Sequence, residues 1–317
     1  MSEKIPVLAV VGPTASGKTA LSVELAKLYN GEIISADSMQ IYKGMDIATA
    51  KPSVEEMQGV PHHLIGLLDR NTSFSVANYV DIAKEKINYI KNCNKLPIVV
   101  GGTGLYISSL LENIQFSEIK SDLDLRARLV AEAEEFGNEA LLEKLKKIDI
   151  ETADTLHANN LIRIVRAIEV YELTGRKLSE LKVESRRLGS PYDYKMIGLT
   201  FSDRDILYNR INKRVDIMVE NGLVEECEAV YKAESNEEGD KILITSNQAI
   251  GYKELIPYFK GTSSLAECLE KIKLETRHYA KRQLTWFRRN EKINWIMLDK
   301  FDTMEKILYE CKKVIAK

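Results

Sequence analysis

The hydrophobic positions of this chain fall into short apolar runs that alternate with stretches of helical spacing. The first run, residues 7–11, leads through a glycine-rich turn into a segment in which Leu21, Leu25 and Leu28 recur at helical spacing. The other predicted strands are 32–35, 97–100, 195–201 and 293–298. The other predicted helices of this part of the pattern are 79–91, 205–220 and 265–289. Because strands alternate with helices, the sequence predicts an α/β fold with a parallel sheet core flanked by helices.

The middle of the chain has a different pattern, with many charged residues at helical spacing and no strand runs. A helix is predicted over 159–173, with Gly175 at its end. Strand patterns then resume. We therefore predict two domains, a core formed by 1–115 with 195–317 and a mainly helical insertion domain over 116–194.

The segment between the first strand and the first helix has the pattern of a phosphate-binding loop. Its residues are Gly12, Pro13, Thr14, Ala15, Ser16, Gly17, Lys18 and Thr19. The glycines let the backbone wrap an anion, Lys18 adds a charge, and Thr19 can hold Mg²⁺. A chance glycine-rich turn is the alternative, but the complete pattern stands between a strand and an amphipathic helix. The sequence thus predicts a P-loop-type core that binds a di- or triphosphate compound, without saying which.

Two further candidate residues follow other strands. The strand over 97–100 ends in a glycine-rich turn with Thr103, where kinases and nucleotide hydrolases often have an acid that supports Mg²⁺. An acid appears instead at Asp37, after the strand over 32–35. Because the carboxyl ends of parallel strands face one crevice, we expect both residues to converge on the phosphate loop. Asp37 then accepts a proton or supports Mg²⁺; the alternatives are a helix N-cap for Asp37 and an ordinary turn residue for Thr103.

Composition narrows the setting of this site. The chain has 317 residues, 44% of them hydrophobic, and a formal net charge of −2, so it can bury a full core and is not a generally basic nucleic-acid binder. The four cysteines lie far apart, without zinc-site spacing, and no apolar run approaches the length of a membrane span. We therefore expect a reduced, zinc-free, cytoplasmic protein with no signal peptide or membrane segment.

Basic residues are concentrated locally. The segment 276–290 contains five arginines and lysines and no acid, and Arg277, Lys281 and Arg288 fall near one face of the predicted helix. The other clusters are pairs about one helical turn apart, Arg163 with Arg166 and Arg210 with Arg214. Each cluster is either a solvated face or a binding surface for phosphate groups, and the residues alone leave that choice open.

Six ordered motifs together resemble one enzyme family. They are GPTASGKT at 12–19, DSMQIY at 37–42, GGTGLY at 101–106, RIVRAIEV at 163–170, QAIGYKE at 248–254 and TRHYAKRQ at 276–283. The first motif is shared by many phosphate-binding families, whereas the ordered set spans nearly the whole chain. On this set the chain resembles the tRNA dimethylallyltransferases of the bacterial type, the tRNA isopentenyltransferase family.

The resemblance implies a reaction: transfer of a dimethylallyl group from dimethylallyl diphosphate to N6 of the adenosine 3′-adjacent to the anticodon in tRNA. The loop 12–19 would bind the diphosphate, with Mg²⁺ at Thr19. Lys18, Arg210 and Arg214 would stabilise the charge on the departing diphosphate. Asp37 would accept the proton of the adenine amine, and the Thr103 hydroxyl would orient that amine. The base must leave its stack to reach them.

The resemblance also implies which residues contact tRNA, and that the protein is a monomer whose insertion domain takes part in tRNA binding. The implied tRNA contacts are Asp37, Ser38, Met39, Gln40, Thr103, Arg126, Ile162, Arg163, Ile164, Val165, Arg166, Gln248, Gly251, Tyr252, Lys253, Arg277, Lys281 and Arg288. Within this set, Gln40 is the best candidate to read a base edge, since an amide both donates and accepts; the alternative is a glutamine on a helix surface. The glycine of the segment 248–253 would allow a close approach to the backbone of the tRNA.

Two other classes of protein share parts of this pattern. A small-molecule kinase uses the same loop for ATP, but it would have an acid where Gly101 stands. An RNA-binding module without catalysis needs the basic segments, but it has no need for Lys18, Asp37 and Thr103 together. The prenyltransferase hypothesis uses all of these residues.

Overall fold

The structure is a computed structural model that describes residues 3–116, 119, 121–234 and 249–316. The chain divides into two compact units. The larger consists of Met1–Leu111 with Pro191–Lys317, and the smaller of Glu112–Ser190. The predicted boundaries of the insertion, 116 and 194, each lie four residues further along the chain than these.

The larger unit contains a six-stranded sheet in which every pair of neighbouring strands is parallel. Its strands are β1 (Ile5–Val11), β2 (Gly31–Ser35), β3 (His62–His63), β4 (Leu96–Gly101), β5 (Tyr192–Thr200) and β6 (Ile293–Met297). Their order across the sheet is β3-β2-β4-β1-β5-β6. The predicted parallel α/β core is confirmed, and the five predicted strands have ends within three residues of the observed ones. β3 was not predicted, because two residues are too few to show a hydrophobic period.

Fourteen α-helices are present in the described residues. They are α1 (Lys18–Leu28), α2 (Val54–Met57), α3 (Val76–Asn92), α4 (Gly104–Leu111), α5 (Leu123–Phe136), α6 (Asn138–Ile148), α7 (Ile150–Ala153), α8 (Leu161–Thr174), α9 (Leu178–Ser185), α10 (Arg204–Glu220), α11 (Leu223–Glu234), α12 (Tyr252–Phe259), α13 (Leu265–Phe287) and α14 (Met304–Ile315). Local chemistry sets several of their ends. Ser264 and Glu267 form a capping box at the start of α13, and Gly175, at φ 69°, ends α8 in the left-handed conformation as predicted.

Both faces of the sheet are buried, because alternate residues of each strand point to opposite sides. In β1, Val7, Ala9 and Val11 join the core on the side of α3 and α4. Leu8 and Val10 join the core on the side of α1 and α14. This two-sided burial explains why β1 is apolar at nearly every position, and it holds the carboxyl end of β1, where the glycine-rich loop begins, in a fixed place.

The smaller unit, taken by itself, contains α5 to α9 around a core of its own. That core includes Leu129, Leu141, Leu145, Ile164 and Ile168.

The four cysteines of the chain are unpaired thiols. None of the helices in the described part of the chain combines the length and apolar composition that crossing a membrane requires.

Candidate active site

The glycine-rich loop joins β1 to α1 and is shaped by two glycines with positive φ. An added Cβ on Gly12, whose φ is 147°, would lie 2.5 Å from the carbonyl oxygen of Leu199 in β5. Gly17, at φ 82°, is the N-cap of α1. The Ser16 hydroxyl donates a hydrogen bond to the Pro13 carbonyl at 2.8 Å. The loop therefore closes on itself at the N-terminus of α1, the position that favours phosphate groups.

Lys18 reaches back over this loop. Its Nζ donates a hydrogen bond to the Pro13 carbonyl at 2.6 Å. Burial, and next the nearby charge of Arg214, lower the pKa of Lys18 to about 7, while the carboxylate of Asp37 acts in the opposite direction. An anion at the loop would favour the protonated form of Lys18.

Arg210 and Arg214 on α10 both contact the same loop. The Nε of Arg210 donates to the Ala15 carbonyl at 3.0 Å, and a terminal nitrogen of Arg214 lies 3.5 Å from the Thr14 hydroxyl. Their spacing of four residues puts them on one face of the helix. The structure thus brings both arginines to the loop. The alternative that they form only a solvated face is therefore wrong.

Asp37 and Thr103 meet around the backbone of residues 38–40. Asp37 Oδ1 accepts hydrogen bonds from the N–H groups of Met39 and Gln40 at 2.9 and 3.3 Å. The N–H of Ser38 donates to Thr103 Oγ1 at 3.2 Å. No helix begins here in the described chain, since α2 starts only at Val54, so the N-cap interpretation of Asp37 is wrong and the residue caps a turn.

The last residue of β4 and the turn after it have no room for the strand-end acid that kinases often carry. An added Cβ on Gly101 would lie 2.2 Å from the Ala36 carbonyl oxygen. On Gly102 it would lie 2.0 Å from Nε2 of Gln283. Because these atoms belong to a neighbouring loop and a buried side chain, any larger residue would displace the turn that carries Thr103.

Gln40 is held by the protein through its whole amide group. Its Nε2 donates to the carbonyls of Thr49 and Ala50 at 3.1 and 3.0 Å, and its Oε1 accepts from the Ser35 hydroxyl at 3.2 Å. The residue lies in a turn, so the helix-surface alternative is wrong. To donate to a base edge, Gln40 would have to give up one of its two bonds to these carbonyls, since both hydrogens of Nε2 are used.

These elements surround one cavity of about 1260 Å³ in the larger unit. Its lining includes loop residues 14–19, the turn 37–40, Arg210 with Arg214, and the loop 46–50. The phosphate loop and Asp37 therefore share a single space, as the argument from parallel strand ends predicts. Helix α10 adds the two arginines to the same space.

The segment 248–253 differs from the sequence expectation in two respects, at Tyr252 and Gly251. Gln248 lies outside the described residues. Tyr252 is buried, and its hydroxyl donates to Glu226 Oε1 at 2.7 Å, so its side chain does not form a tRNA surface. Gly251 does permit a close approach, but to Ala48 of this chain, whose Cβ would lie 3.1 Å from a Cβ at residue 251. Lys253 is exposed and lines the cavity.

The basic residues of α13, and Arg288 directly after it, differ in exposure and in their contacts. Arg277 is half-buried, and its terminal nitrogen donates to Asn212 Oδ1 at 2.6 Å. Lys281 and Arg288 are exposed. Trp286 lies against Gly104, where an added Cβ would be 2.2 Å from the indole Cδ1. Lys281 and Arg288 therefore remain available to a partner, whereas Arg277 also has a structural contact.

In the smaller unit, four expected tRNA contacts have structural roles. Arg126 donates two hydrogen bonds to the buried Glu169 carboxylate, at 2.9 and 3.0 Å, and Arg166 donates a third at 2.6 Å. Ile164 and Val165 lie in the core with at most 4% of their surface exposed, so the expectation that their side chains contact tRNA is wrong. Ile162, 86% exposed, and the exposed Arg163 remain on the surface.

The family of the chain follows from its sequence as a whole. The family model described as "IPP transferase" matches residues 40–290. The chain belongs to the IPP transferase family.

Curated members of the IPP transferase family match this chain over nearly its full length. One from Acetivibrio thermocellus, named tRNA dimethylallyltransferase, is 50% identical over 310 residues, which cover 98% of this chain and 97% of that protein. Another of the same name, from Halalkalibacterium halodurans, is 46% identical and covers 97% of this chain and 95% of the relative.

Solved structures from the IPP transferase family share the fold. The full-length tRNA isopentenylpyrophosphate transferase of Bacillus halodurans is 45% identical, with a TM-score of 0.72 over 99% of this chain and 96% of that one. A eukaryotic dimethylallyltransferase crystallised acting on tRNA is 30% identical, with a TM-score of 0.79 over 96% of this chain and 77% of that one.

For this IPP transferase family member, sequence reasoning missed three residues that organise the site. They are Glu226, Tyr279 and Gln283. Burial, followed by the charge of Asp37, raises the pKa of the Tyr279 hydroxyl, which interacts with Thr103 and Gln283. Tyr279 and Gln283 lie in the motif 276–283, which was the available signal, but a polar residue on a charged helix looks like a surface residue until its partners are known.

Proposed function

We propose that this protein transfers the dimethylallyl group of dimethylallyl diphosphate to N6 of the adenosine 3′-adjacent to the anticodon in tRNA, releasing diphosphate. The single observation that carries this proposal is the shared cavity, which combines an anion-binding loop with Asp37. The names of the relatives and the solved neighbour that acts on tRNA support the same reaction.

The phosphate loop and the cations around it act on the leaving diphosphate. As the allylic C–O bond breaks, negative charge develops on the diphosphate. Protonated Lys18, with Arg210 and Arg214, lies where it can stabilise that charge. A preorganised set of this kind favours the transition state more than the intact substrate.

On the nucleophile side, the adenine amine attacks the allylic carbon while the C–O bond breaks, and its proton must then leave. Asp37 accepts this proton through its carboxylate. The Thr103 hydroxyl orients the amine by a hydrogen bond, and its position is fixed by the N–H of Ser38. One carbon–nitrogen bond forms, one carbon–oxygen bond breaks, and the proton ends on the carboxylate.

Magnesium fits this site as an ion that arrives with the substrate. The described residues contain no group of three or more His, Cys, Asp or Glu side chains that would hold a metal. Mg²⁺ typically keeps several waters and binds through one or two protein oxygens together with substrate phosphates. Thr19 lines the cavity and would hold it. When bound, the ion neutralises charge on the departing diphosphate.

The tRNA would be bound by exposed basic residues. In the larger unit these are Lys253, Lys281 and Arg288, and in the smaller unit Arg163. The acceptor base has to leave its stack to reach the cavity. Unpaired cysteines accord with a cytoplasmic location for this chemistry.

The proposal is tested by giving the purified chain unmodified tRNA with radiolabelled dimethylallyl diphosphate, and in a parallel reaction with γ-labelled ATP. We expect prenyl label on the tRNA and no transfer from ATP. Lys18→Ala should abolish most transfer while tRNA affinity stays near that of the wild type. Label from ATP on any acceptor, or a wild type that leaves the tRNA unlabelled, contradicts the proposal.

A further inference from the structure

The side chain of Glu226, in the first turn of α11, binds three consecutive backbone N–H groups of another loop. Its Oε2 accepts from Asp46 and Ile47 at 2.7 and 2.8 Å, and its Oε1 accepts from Ala48 at 3.0 Å. Hydrogen bonds to an ionised acceptor are roughly twice as strong as neutral ones. This carboxylate therefore fixes the backbone of residues 46–48.

A second set of contacts holds the same loop from α12. The buried Tyr252 hydroxyl donates to Glu226 Oε1 at 2.7 Å, which orients the carboxylate. Gly251, at φ 108°, lies so close to Ala48 that a side chain at 251 would press on it. At the other end of the loop, Gln40 holds the carbonyls of Thr49 and Ala50. The loop 46–50 is thus tied at both ends.

This loop is a wall of the cavity that contains Lys18 and Asp37. Ile47 and Ala48 line it, together with Met218 and Leu223. These side chains have no polar group to offer a ligand, and Ile47 and Met218 also pack on the core beneath. Because the diphosphate of a prenyl donor is held at the phosphate loop, its hydrocarbon chain has to lie along apolar lining of this kind.

We propose that Glu226 is a positioning residue that fixes the loop 46–50 against the prenyl chain and thereby limits the length of the allylic diphosphate that is used. The inference rests on the proposed function. An apolar pocket distinguishes hydrocarbon chains only by the space it offers, and that space is defined only when its wall is held rigidly. Glu226 supplies that rigidity without touching the substrate.

The experiment compares five-carbon dimethylallyl diphosphate with ten-carbon geranyl diphosphate on the same unmodified tRNA. We expect Glu226→Ala to favour the longer donor. The ratio of kcat/KM for dimethylallyl diphosphate to kcat/KM for geranyl diphosphate should fall by about tenfold or more. Tyr252→Phe, which keeps the three N–H bonds, should shift the ratio in the same direction by less. Glu225→Ala is the matched control on the same helical turn, and its ratio should equal that of the wild type.

A further measurement separates positioning from general damage. Inhibition by inorganic diphosphate should be unchanged in Glu226→Ala, because Glu226 contacts residues 46–48 and Tyr252 rather than the phosphate loop. A variant with lower turnover but the wild-type donor ratio overturns the inference. Should Glu226→Ala fail to fold, Glu226→Gln and Tyr252→Phe decide by the same ratio. A wild type that transfers no dimethylallyl group refutes the proposed function, which is a different outcome from an unaltered ratio.

Discussion

The side-chain oxygen of Gln283 accepts a hydrogen bond from the backbone N–H of Thr14 at 2.8 Å. The amide nitrogen of the same side chain donates to the Gly102 carbonyl at 3.1 Å. One buried glutamine on α13 therefore connects the phosphate loop with the turn that carries Thr103. In the proposed reaction, this bridge links the groups that act on the leaving diphosphate with those that act on the nucleophile.

Gln283→Leu keeps the approximate volume of the side chain but leaves the Thr14 N–H and the Gly102 carbonyl without their partner. We expect a loss of about 1–3 kcal/mol in the free energy of unfolding, because unsatisfied buried polar groups keep their full desolvation cost. Transfer should also slow, since both loops lose their connection. Urea unfolding and steady-state rates measure the two effects. Thr285→Ala, on the exposed side of the same helix, is the control; equal stability of both variants would contradict the bridge.

Asp37→Asn tests the proton acceptor. Asparagine keeps an Oδ1 that accepts from Met39 and Gln40, so the turn and the thermal midpoint should be preserved. The rate of transfer on bound tRNA should fall by roughly 10² or more, because the amide cannot take up the proton. Single-turnover kinetics measure this step. A near-normal rate would reduce Asp37 to a turn cap.

The lowered pKa of Lys18 predicts a pH dependence of diphosphate binding. Its pKa in the protein is about 7, and a bound anion raises that pKa, so binding takes up a proton at any pH between the two values. Above pH 7, the Kd for inorganic diphosphate should therefore rise by up to about tenfold per pH unit. Below pH 7 this contribution is fully present, because Lys18 is already protonated.

Calorimetry in buffers of different ionisation enthalpy measures the proton uptake. Lys18→Met keeps the apolar part of the side chain and leaves the titration of the diphosphate itself unchanged. The variant should therefore lose only the pH dependence that belongs to the lysine. Identical proton uptake in both proteins would assign the effect to the ligand alone.

The basic residues of α13, together with Arg288 directly after it, should differ from those of α10 in the ligand whose binding they affect. Lys281→Ala and Arg288→Ala should weaken tRNA binding and flatten its salt dependence by at most about one unit of slope each, with diphosphate affinity unchanged. Arg277→Ala should do the same and also cost stability, because it loses Asn212. Arg210→Ala and Arg214→Ala should instead weaken diphosphate binding and turnover.

Paired titrations on each variant, one with labelled tRNA across a salt series and one with diphosphate, distinguish these outcomes. If the α13 variants bind tRNA normally at every salt concentration, that face is only solvated and the tRNA surface has to lie elsewhere, with exposed Arg163 as the next candidate.

Local sequence predicted the elements whose causes are local. β1 and α1 follow from an apolar run, glycines with positive φ and a helical period, all within residues 5–28, and α8 ends at the predicted glycine. The phosphate loop is contiguous, so its pattern is complete in the sequence. The shared cavity of Asp37 and this loop also followed, because parallel strands bring their carboxyl ends to one edge.

Only the tertiary structure decided which polar side chains hold the site together. Gln283 lies 269 positions from Thr14, and Glu226 lies 180 positions from Asp46, so no local pattern records these pairs. The same holds for Tyr252, whose partner is Glu226 and which is buried rather than exposed to tRNA. Hydrophobic periodicity and turn chemistry act over a few residues and are therefore visible in the sequence, whereas a hydrogen bond between distant segments exists only after the chain has packed them together.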